Sequence, residues 1–410
     1  MTTIAPHRPL SFIDSFTLGI SATAPFYSIV VTLPLVLAIN GTAAPWIYLL
    51  AFIPSALVCY SMTVCEKQNP DKGTVYTWAK NKWHKRIAGL SLATTGIIAT
   101  AGMAVVASWM VLQWFGVSPS SNTLLASAVA GLLVAVAALV DLKSLKLMAV
   151  VQILAVVFQV ISLAFLIPMM FNPSVIEQGN AVWEFDAVLH GVLLCVFSYW
   201  GFDAVFALTE ETKENSARAG AVVSVIALVA FYVAFAMVAV RVGLDVIVAH
   251  PVISVAVFLS AVMSLGSTML PTARGLQAMA EDGQVFKQLS DKNVSGWWVL
   301  VLSAFFCGIA AISQNVFDDL IEAISIFVGV YFVSSCVSAY RMTKNWIHVV
   351  SGVLMGFMTL GCLVMMFDVE YGSTSLLGVG GVAWLVVGLS AVGIVLMVVQ
   401  DRVSKSSENV

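Results

Sequence analysis

The sequence predicts an all-α membrane protein of twelve transmembrane helices, and three observations carry that prediction. Of its 410 residues, 60% are apolar and 10% are charged, whereas soluble domains carry about 25% charged and roughly 45–50% apolar residues. The apolar residues fall in twelve continuous runs of the length a bilayer needs, about 20 residues each. Eighteen of the 19 Lys and Arg residues lie on alternate connections between those runs. So few charges cannot solvate a surface of this size in water, which excludes a cytosolic enzyme and a secreted disulfide domain. A net charge of −3 gives no footprint for nucleic acid. Continuous rather than alternating runs exclude an outer-membrane barrel.

Span 1 covers 14–39, after a polar start (Met1 to Phe12) without the n-region or cleavage pattern of a signal peptide. Spans 2 to 5 are 44–63, 88–115, 122–140 and 145–170. Spans 6 to 10 are 187–208, 219–240, 251–271, 297–313 and 317–340, and spans 11 and 12 are 346–367 and 376–400. Connections are short, and no soluble domain is inserted. The expected organisation is a tail (1–13), a first repeat (14–170), a second repeat (187–340), two peripheral helices (346–400) and a second tail (401–410).

Basic residues orient these spans, because cytoplasmic loops collect Lys and Arg. With the N-terminus inside, Arg8 is cytoplasmic, as are Lys67, Lys72, Lys80, Lys82, Lys85 and Arg86 between spans 2 and 3. Lys143 and Lys146 follow span 4, Lys213 and Arg218 follow span 6, and Arg274, Lys287 and Lys292 follow span 8. Arg341 and Lys344 follow span 10, and Arg402 and Lys405 lie in the tail. Only Arg241 falls on the other side. Both termini are therefore expected to be cytoplasmic, in a multi-pass protein of the cell membrane (plasma or inner).

Two spans carry helix-breaking residues. Span 1 contains Ser21-Ala22-Thr23-Ala24-Pro25, where Pro25 removes an N–H and Ser21 and Thr23 can satisfy the freed backbone. Span 6 contains Phe197-Ser198-Tyr199-Trp200-Gly201-Phe202-Asp203. Either break alone is explained by a packed kink. Together, five helices apart, they are what a five-plus-five inverted repeat produces. Irregular backbone in lipid is tolerated where it lines a cavity or packs inside protein. Free N–H groups at a half-helix start suit an anionic group, and exposed carbonyls suit an ammonium or cation. Asp203 is read as the single acid deep in a span. It either faces the bundle interior with a transport role or bonds the local backbone at the break; a proton-coupling role requires a raised pKa.

Six cysteines (Cys59, Cys65, Cys195, Cys307, Cys336 and Cys362) lie in or beside apolar runs without regular spacing and read as small buried residues. His7, His84, His190, His250 and His348 stand isolated near span ends, so no metal site or proton relay is expected.

Four motifs, in order along most of the chain, resemble those of the amino acid–polyamine–organocation (APC) transporters, which have the LeuT-type fold. Thr23-Ala24-Pro25 stands where that family has a Gly-Thr/Ser-Gly unwound segment, and it is similar to an Ala-Pro subset. Pro70-Asp71-Lys72-Gly73-Thr74-Val75-Tyr76 resembles Pro-x-x-Gly-Gly-x-Tyr, with Thr74 for the second Gly. Gly201-Phe202-Asp203 followed by Glu210-Glu211-Thr212-Lys213-Glu214-Asn215 resembles Gly-Phe-(Asp/Glu)…Glu-Glu-x-Lys-Asn-Pro without its final Pro. Ala273-Arg274-Gly275 through Met279 to Asp282-Gly283 is close to Ser-Arg-x-x-x-x-Met-x-x-Asp-Gly. The 2–3 loop does not fit the Gly-x-x-x-Asp-Arg-x-Gly-Arg-Arg pattern of major-facilitator transporters.

The resemblance implies a permease for an amino acid or related organic amine, working by alternating access. It implies a substrate carboxylate at Ser21, Ala22, Thr23, Ala24 and Pro25, and an amine near Phe197, Ser198, Tyr199, Trp200, Gly201 and Asp203. Pro25 has no N–H, so donors come from its neighbours. Phe197 stands where relatives carry an aromatic gate, though ordinary helix packing explains it equally. Ser264, Ser267 and Thr268 are the candidates for a coupling Na⁺, against a role in helix packing. H⁺ is the other candidate coupling ion, and span 5 has no Lys beyond Lys146 at its start. Lys72, Glu210, Glu211, Arg218, Arg274 and Asp282 form either a cytoplasmic salt-bridge gate or topology signals on solvated helix ends. No cofactor and no catalytic constellation is expected. A polyamine or organic-cation carrier and a membrane sensor of the same fold remain the alternatives.

Overall fold

The computed structural model describes residues 9–143, 145–171 and 180–408. In chain order its helices are α1 (Phe12–Thr23), α2 (Pro25–Asn40), α3 (Ala44–Gln68), α4 (Val75–Trp78), α5 (Lys82–Trp114) and α6 (Thr123–Lys143). They continue with α7 (Leu145–Ser162), α8 (Leu166–Phe171), α9 (Phe185–Tyr199), α10 (Ser216–Val242), α11 (Leu244–Ala249) and α12 (Pro251–Glu281). The last four are α13 (Lys292–Ala310), α14 (Gln314–Thr343), α15 (Trp346–Met365) and α16 (Gly381–Glu408). Among the described residues, ten stretches are long and apolar enough to cross a membrane. The first of them, Phe12–Gln68, is interrupted by a 3₁₀ turn at Gly41–Ala43, and Thr123–Leu139 is a further, shorter apolar helix. The chain is a multi-pass helical membrane protein.

Local chemistry sets the important helix ends. Ser11 and Asp14 form a capping box at the start of α1: the Asp14 carboxylate accepts from the Ser11 N–H at 2.7 Å, and the Ser11 hydroxyl accepts from the Asp14 N–H at 3.3 Å. That satisfies two of the N–H groups a helix start leaves unpaired. Ala24 ends α1 in a left-handed conformation (φ 49°), its N–H returning to the Ile20 and Ser21 carbonyls at 3.1 Å. Pro25 then opens α2 at the first helical position, where its missing N–H removes no bond. At the other break, α9 stops at Tyr199, Trp200 turns extended (ψ 143°) and Gly201 takes φ 118°. The chain resumes as a 3₁₀ helix, Phe202–Glu211.

Two spans differ from the sequence expectation. The run 145–170 is two helices joined by a 3₁₀ turn at Leu163–Phe165, where Pro168 cannot donate back to the preceding turn. The run expected to begin at 376 starts its helix at Gly381 instead. Before it, Ser375–Leu376 and Val379–Gly380 pair as two short antiparallel strands, β1 and β2. Leu377 and Gly378 make the turn, both at positive φ (55° and 76°), as a tight hairpin requires.

The long helix α5 runs through the core against α12, α13 and α14. Small residues let α5 and α12 approach closely: Gly89 meets Met279, Gly96 meets Thr272 and Gly275 meets Leu92. A Cβ at Gly96 would collide with the Thr272 side chain, whose hydroxyl is held on the Thr268 carbonyl at 2.8 Å. Gly96→Leu should therefore destabilise the protein by about 1–3 kcal/mol, read as a lower thermal midpoint in detergent. An unchanged midpoint would show that α5 and α12 do not meet there.

Candidate functional site

The two helix breaks touch. A Cβ built on Gly201 would lie 2.7 Å from the carbonyl carbon and oxygen of Ala22 and from the Thr23 Cα. Only a residue without a side chain fits, and its φ of 118° independently favours glycine. Around the contact, Ser21, Ala22, Thr23 and Ala24 are all buried. Their polar groups are largely spoken for. The Thr23 hydroxyl donates to the Gly19 carbonyl at 2.8 Å, the Ser28 hydroxyl donates to the Thr23 carbonyl at 2.6 Å, and the Ser21 hydroxyl donates to the Met263 carbonyl at 3.5 Å.

What the break leaves free is the start of α2. Its first helical bond runs from the Ser28 N–H to the Ala24 carbonyl at 2.8 Å, so the N–H groups of Phe26 and Tyr27 precede it. The Tyr27 N–H faces the Ser260 hydroxyl at a long 3.5 Å. These two donors lie just beyond the five residues, Ser21 to Pro25, picked out in the sequence. The signal was available: Pro25 at the first helical position puts the next donors on Phe26 and Tyr27.

The span 6 residues do not act as one group. Ser198 and Tyr199 turn toward α2, α3 and α10. The Ser198 hydroxyl meets that of Thr32 at 2.8 Å, Thr32 meets the Tyr48 hydroxyl at 2.6 Å, and Tyr232 donates to the Ser198 carbonyl at 2.5 Å. The Tyr199 hydroxyl donates to the Tyr48 carbonyl at 3.0 Å, with its ring edge-on to Tyr232. Both are fastened into a buried hydroxyl network. Phe197 is buried one turn before the break, and Trp200 is buried at the break itself. The Trp200 indole N–H has no hydrogen-bond partner among the described residues.

Asp203 sits in the first turn of the 3₁₀ helix. One carboxylate oxygen accepts from the Gly201 N–H at 3.3 Å, and the other accepts from the Tyr331 hydroxyl on α14. It thus bonds the local backbone and also ties the break to α14. It is not the only buried acid. Glu66, Asp319 and Glu322 are also buried. Glu322 meets the His190 imidazole at 3.1 Å, and His190 stacks on Tyr371 at 4.1 Å, so this histidine is not isolated. Asp319 accepts from the Ser373 N–H at 2.6 Å and from the Thr374 hydroxyl, holding the segment before β1. These partners are separated by 54 to 132 residues, and no local pattern announces them.

Of the three candidate hydroxyl residues on α12, Ser264 reaches the span 1 break. Ser264 donates to the Ala22 carbonyl at 3.0 Å and lies 3.5 Å from the Thr268 hydroxyl. Ser267 bonds back to the Met263 and Ser264 carbonyls of its own helix.

The six charged candidates sort into separate contacts. Arg274 grips Glu211 through two nitrogens, at 2.6 and 3.1 Å, and also donates to the Ala207 carbonyl. Lys72 pairs with Glu281 at 2.9 Å rather than with Asp282. Asp282 accepts from Lys85 and, at 3.0 Å, from the Tyr76 hydroxyl. Burial and the facing Asp282 carboxylate push the Tyr76 phenol up from its ordinary value, so it stays a donor. Arg218 lies 3.3 Å from Glu66. Glu210 is exposed and forms no ion pair among the described residues. In the Arg274–Glu211 pair the Arg274 side chain is 9% exposed and that of Glu211 39%.

Two interrupted helices thus meet inside a bundle of apolar helices. Residues 10–249 match the family described as Amino acid permease, and the chain belongs to that family, within the APC superfamily. It is a family of membrane transporters rather than enzymes. The match spans both breaks and the 2–3 loop; Ser264, Arg274 and Asp282 lie beyond it. No curated protein matches the chain.

Removing Glu211 leaves the largely buried Arg274 guanidinium without its carboxylate. A double-mutant cycle on Arg274→Gln and Glu211→Gln should therefore give a coupling of about 1–3 kcal/mol in thermal stability. Additive effects would mean the pair is not formed.

Proposed function

We propose that this protein is a secondary transporter of an amino acid or related organic amine, working by alternating access. The observation that carries this reading is the contact of Gly201 with Ala22 and Thr23, which brings two helix interruptions together inside the family-matched segment. The Phe26 and Tyr27 N–H groups at the start of α2 are placed to hold a carboxylate. Trp200, with its unpartnered indole N–H, and the buried ring of Phe197 supply the opposite wall. Ser198 and Tyr199 act indirectly in this reading, by fixing the end of α9 through Thr32, Tyr48 and Tyr232.

We assign twelve crossings by dividing Phe12–Gln68 at Gly41–Ala43 and counting Thr123–Leu139. The first ten form two inverted repeats, and α15 and α16 are peripheral. The basic loops put both tails in the cytoplasm of a cell-membrane protein. The Arg274–Glu211 pair then closes the cytoplasmic end and parts in the inward-open state. A coupling Na⁺ would use the Ala22 carbonyl with Ser264 and Thr268, displacing the hydrogen bonds now made there.

Uptake and counterflow into proteoliposomes with labelled amino acids and amines test the proposal. Flux of an amino acid is the expected result. Flux of polyamines alone would replace the substrate class, and binding without flux would make the protein a sensor. Because a Cβ at this position would lie 2.7 Å from the Ala22 and Thr23 backbone, Gly201→Ala should already cut flux about tenfold or more, since strain at such a site amounts to about 1–3 kcal/mol. Gly201→Leu should abolish it. Full activity in both variants would remove the breaks from the mechanism.

A further inference from the structure

Arg241 is the one basic residue that the topology leaves on the far side from the other eighteen. It lies in the last turn of α10, exposed, and makes no ion pair or hydrogen bond among the described residues. Beside it runs a groove of about 200 Å³ between the start of α3 and the end of α10, lined by Pro45, Trp46, Val233, Met237, Val240 and Arg241. Val233, Met237 and Arg241 are spaced four residues apart, so they form one stripe down α10 about 12 Å long. Trp46 is 59% exposed and Met237 42%. The groove therefore opens outward, to the lipid around the bundle. Trp46 stands one residue after Pro45 at the start of α3, level with the end of α10, where an interfacial tryptophan belongs.

We propose that this groove holds a phospholipid, with its phosphate on the Arg241 guanidinium and an acyl chain along Val233 and Met237 beside Trp46. The charge selects the occupant. Lipid tails are as apolar as the groove walls, so the apolar contact alone does not favour a bound lipid over a bulk one. An arginine fork without a protein partner at the membrane boundary does favour a phosphate, which it can bind through two donors. The position also gives the lipid leverage. Tyr232 and Tyr48, next to Val233 and two residues beyond Trp46, stack at 5.5 Å on the inner side of the same helices. A lipid in the groove braces the seam that holds Ser198 and Tyr199.

The test uses the detergent-purified full chain, titrated with phosphatidylglycerol and read by native mass spectrometry and thermal midpoint. The wild type should retain one lipid and gain thermal stability. Arg241→Gln should bind about tenfold more weakly, as loss of a charge-assisted hydrogen bond implies. Met237→Trp, which fills the exposed groove, should lose the lipid as well. Diacylglycerol with the same chains and glycerol phosphate without chains should both be retained poorly. Equal retention by the wild type and both variants would overturn the proposal. So would diacylglycerol binding as well as phosphatidylglycerol, or glycerol phosphate competing at the same concentration.

Discussion

The structure turns on one close approach, the backbone of Gly201 against that of Ala22 and Thr23. In a bilayer, backbone polar groups released from a helix must find partners inside the protein, because lipid offers none. Two interrupted helices side by side release several such groups in one place. The arrangement is tolerable because hydroxyls enclose the first break: Thr23 from α1, Ser28 from α2 and Ser264 from α12. Asp203 completes the set by accepting from the Gly201 N–H. The same enclosure leaves only a few groups over. Among the described residues they are the Phe26 N–H, the Tyr27 N–H held only by the long contact to Ser260, and the Trp200 indole.

The second network lies behind the first. Ser198, Thr32, Tyr48, Tyr199 and Tyr232 link α9, α2, α3 and α10 through hydroxyls and carbonyls at 2.5 to 3.0 Å. Buried polar groups in such a chain reinforce one another when every member is paired. Their effect is to hold the end of α9 at one position, so that the turn at Trp200 and Gly201 begins from a rigid base. Ion pairs lie apart from this network, among them those of Lys72, Lys85, Arg218 and Arg274 near helix ends.

Much of this was legible in the sequence where the cause is local. Pro25 and Gly201 mark breaks through their own backbone chemistry, and apolar runs mark membrane helices through length. The residues bordering those signals were harder. Consecutive helix positions point about 100° apart, so grouping Phe197 to Gly201 could not tell that Ser198 and Tyr199 face the hydroxyl network. The same rotation decides that Lys72 meets Glu281 while Asp282 turns to Lys85 and Tyr76. The hairpin at Ser375–Gly380 was hidden because Leu377 sits at positive φ, which its side chain does not advertise. His190 with Glu322, and Asp319 with Ser373 and Thr374, depend on tertiary packing alone.

The N-terminal segment has a mechanical consequence. Leu10 forms a parallel bridge to Thr212, with its N–H on the Glu211 carbonyl at 2.7 Å and its carbonyl accepting from the Lys213 N–H at 2.9 Å. Farther along, Gly19 packs close to the Phe202 carbonyl, and Ala22 and Thr23 abut Gly201. The segment from Leu10 through α1 is thus joined to the 3₁₀ helix at both ends of the latter. Contacts of this kind couple the two helices, so that a displacement of one loads the other through the Leu10 bridge and the Gly201 contact.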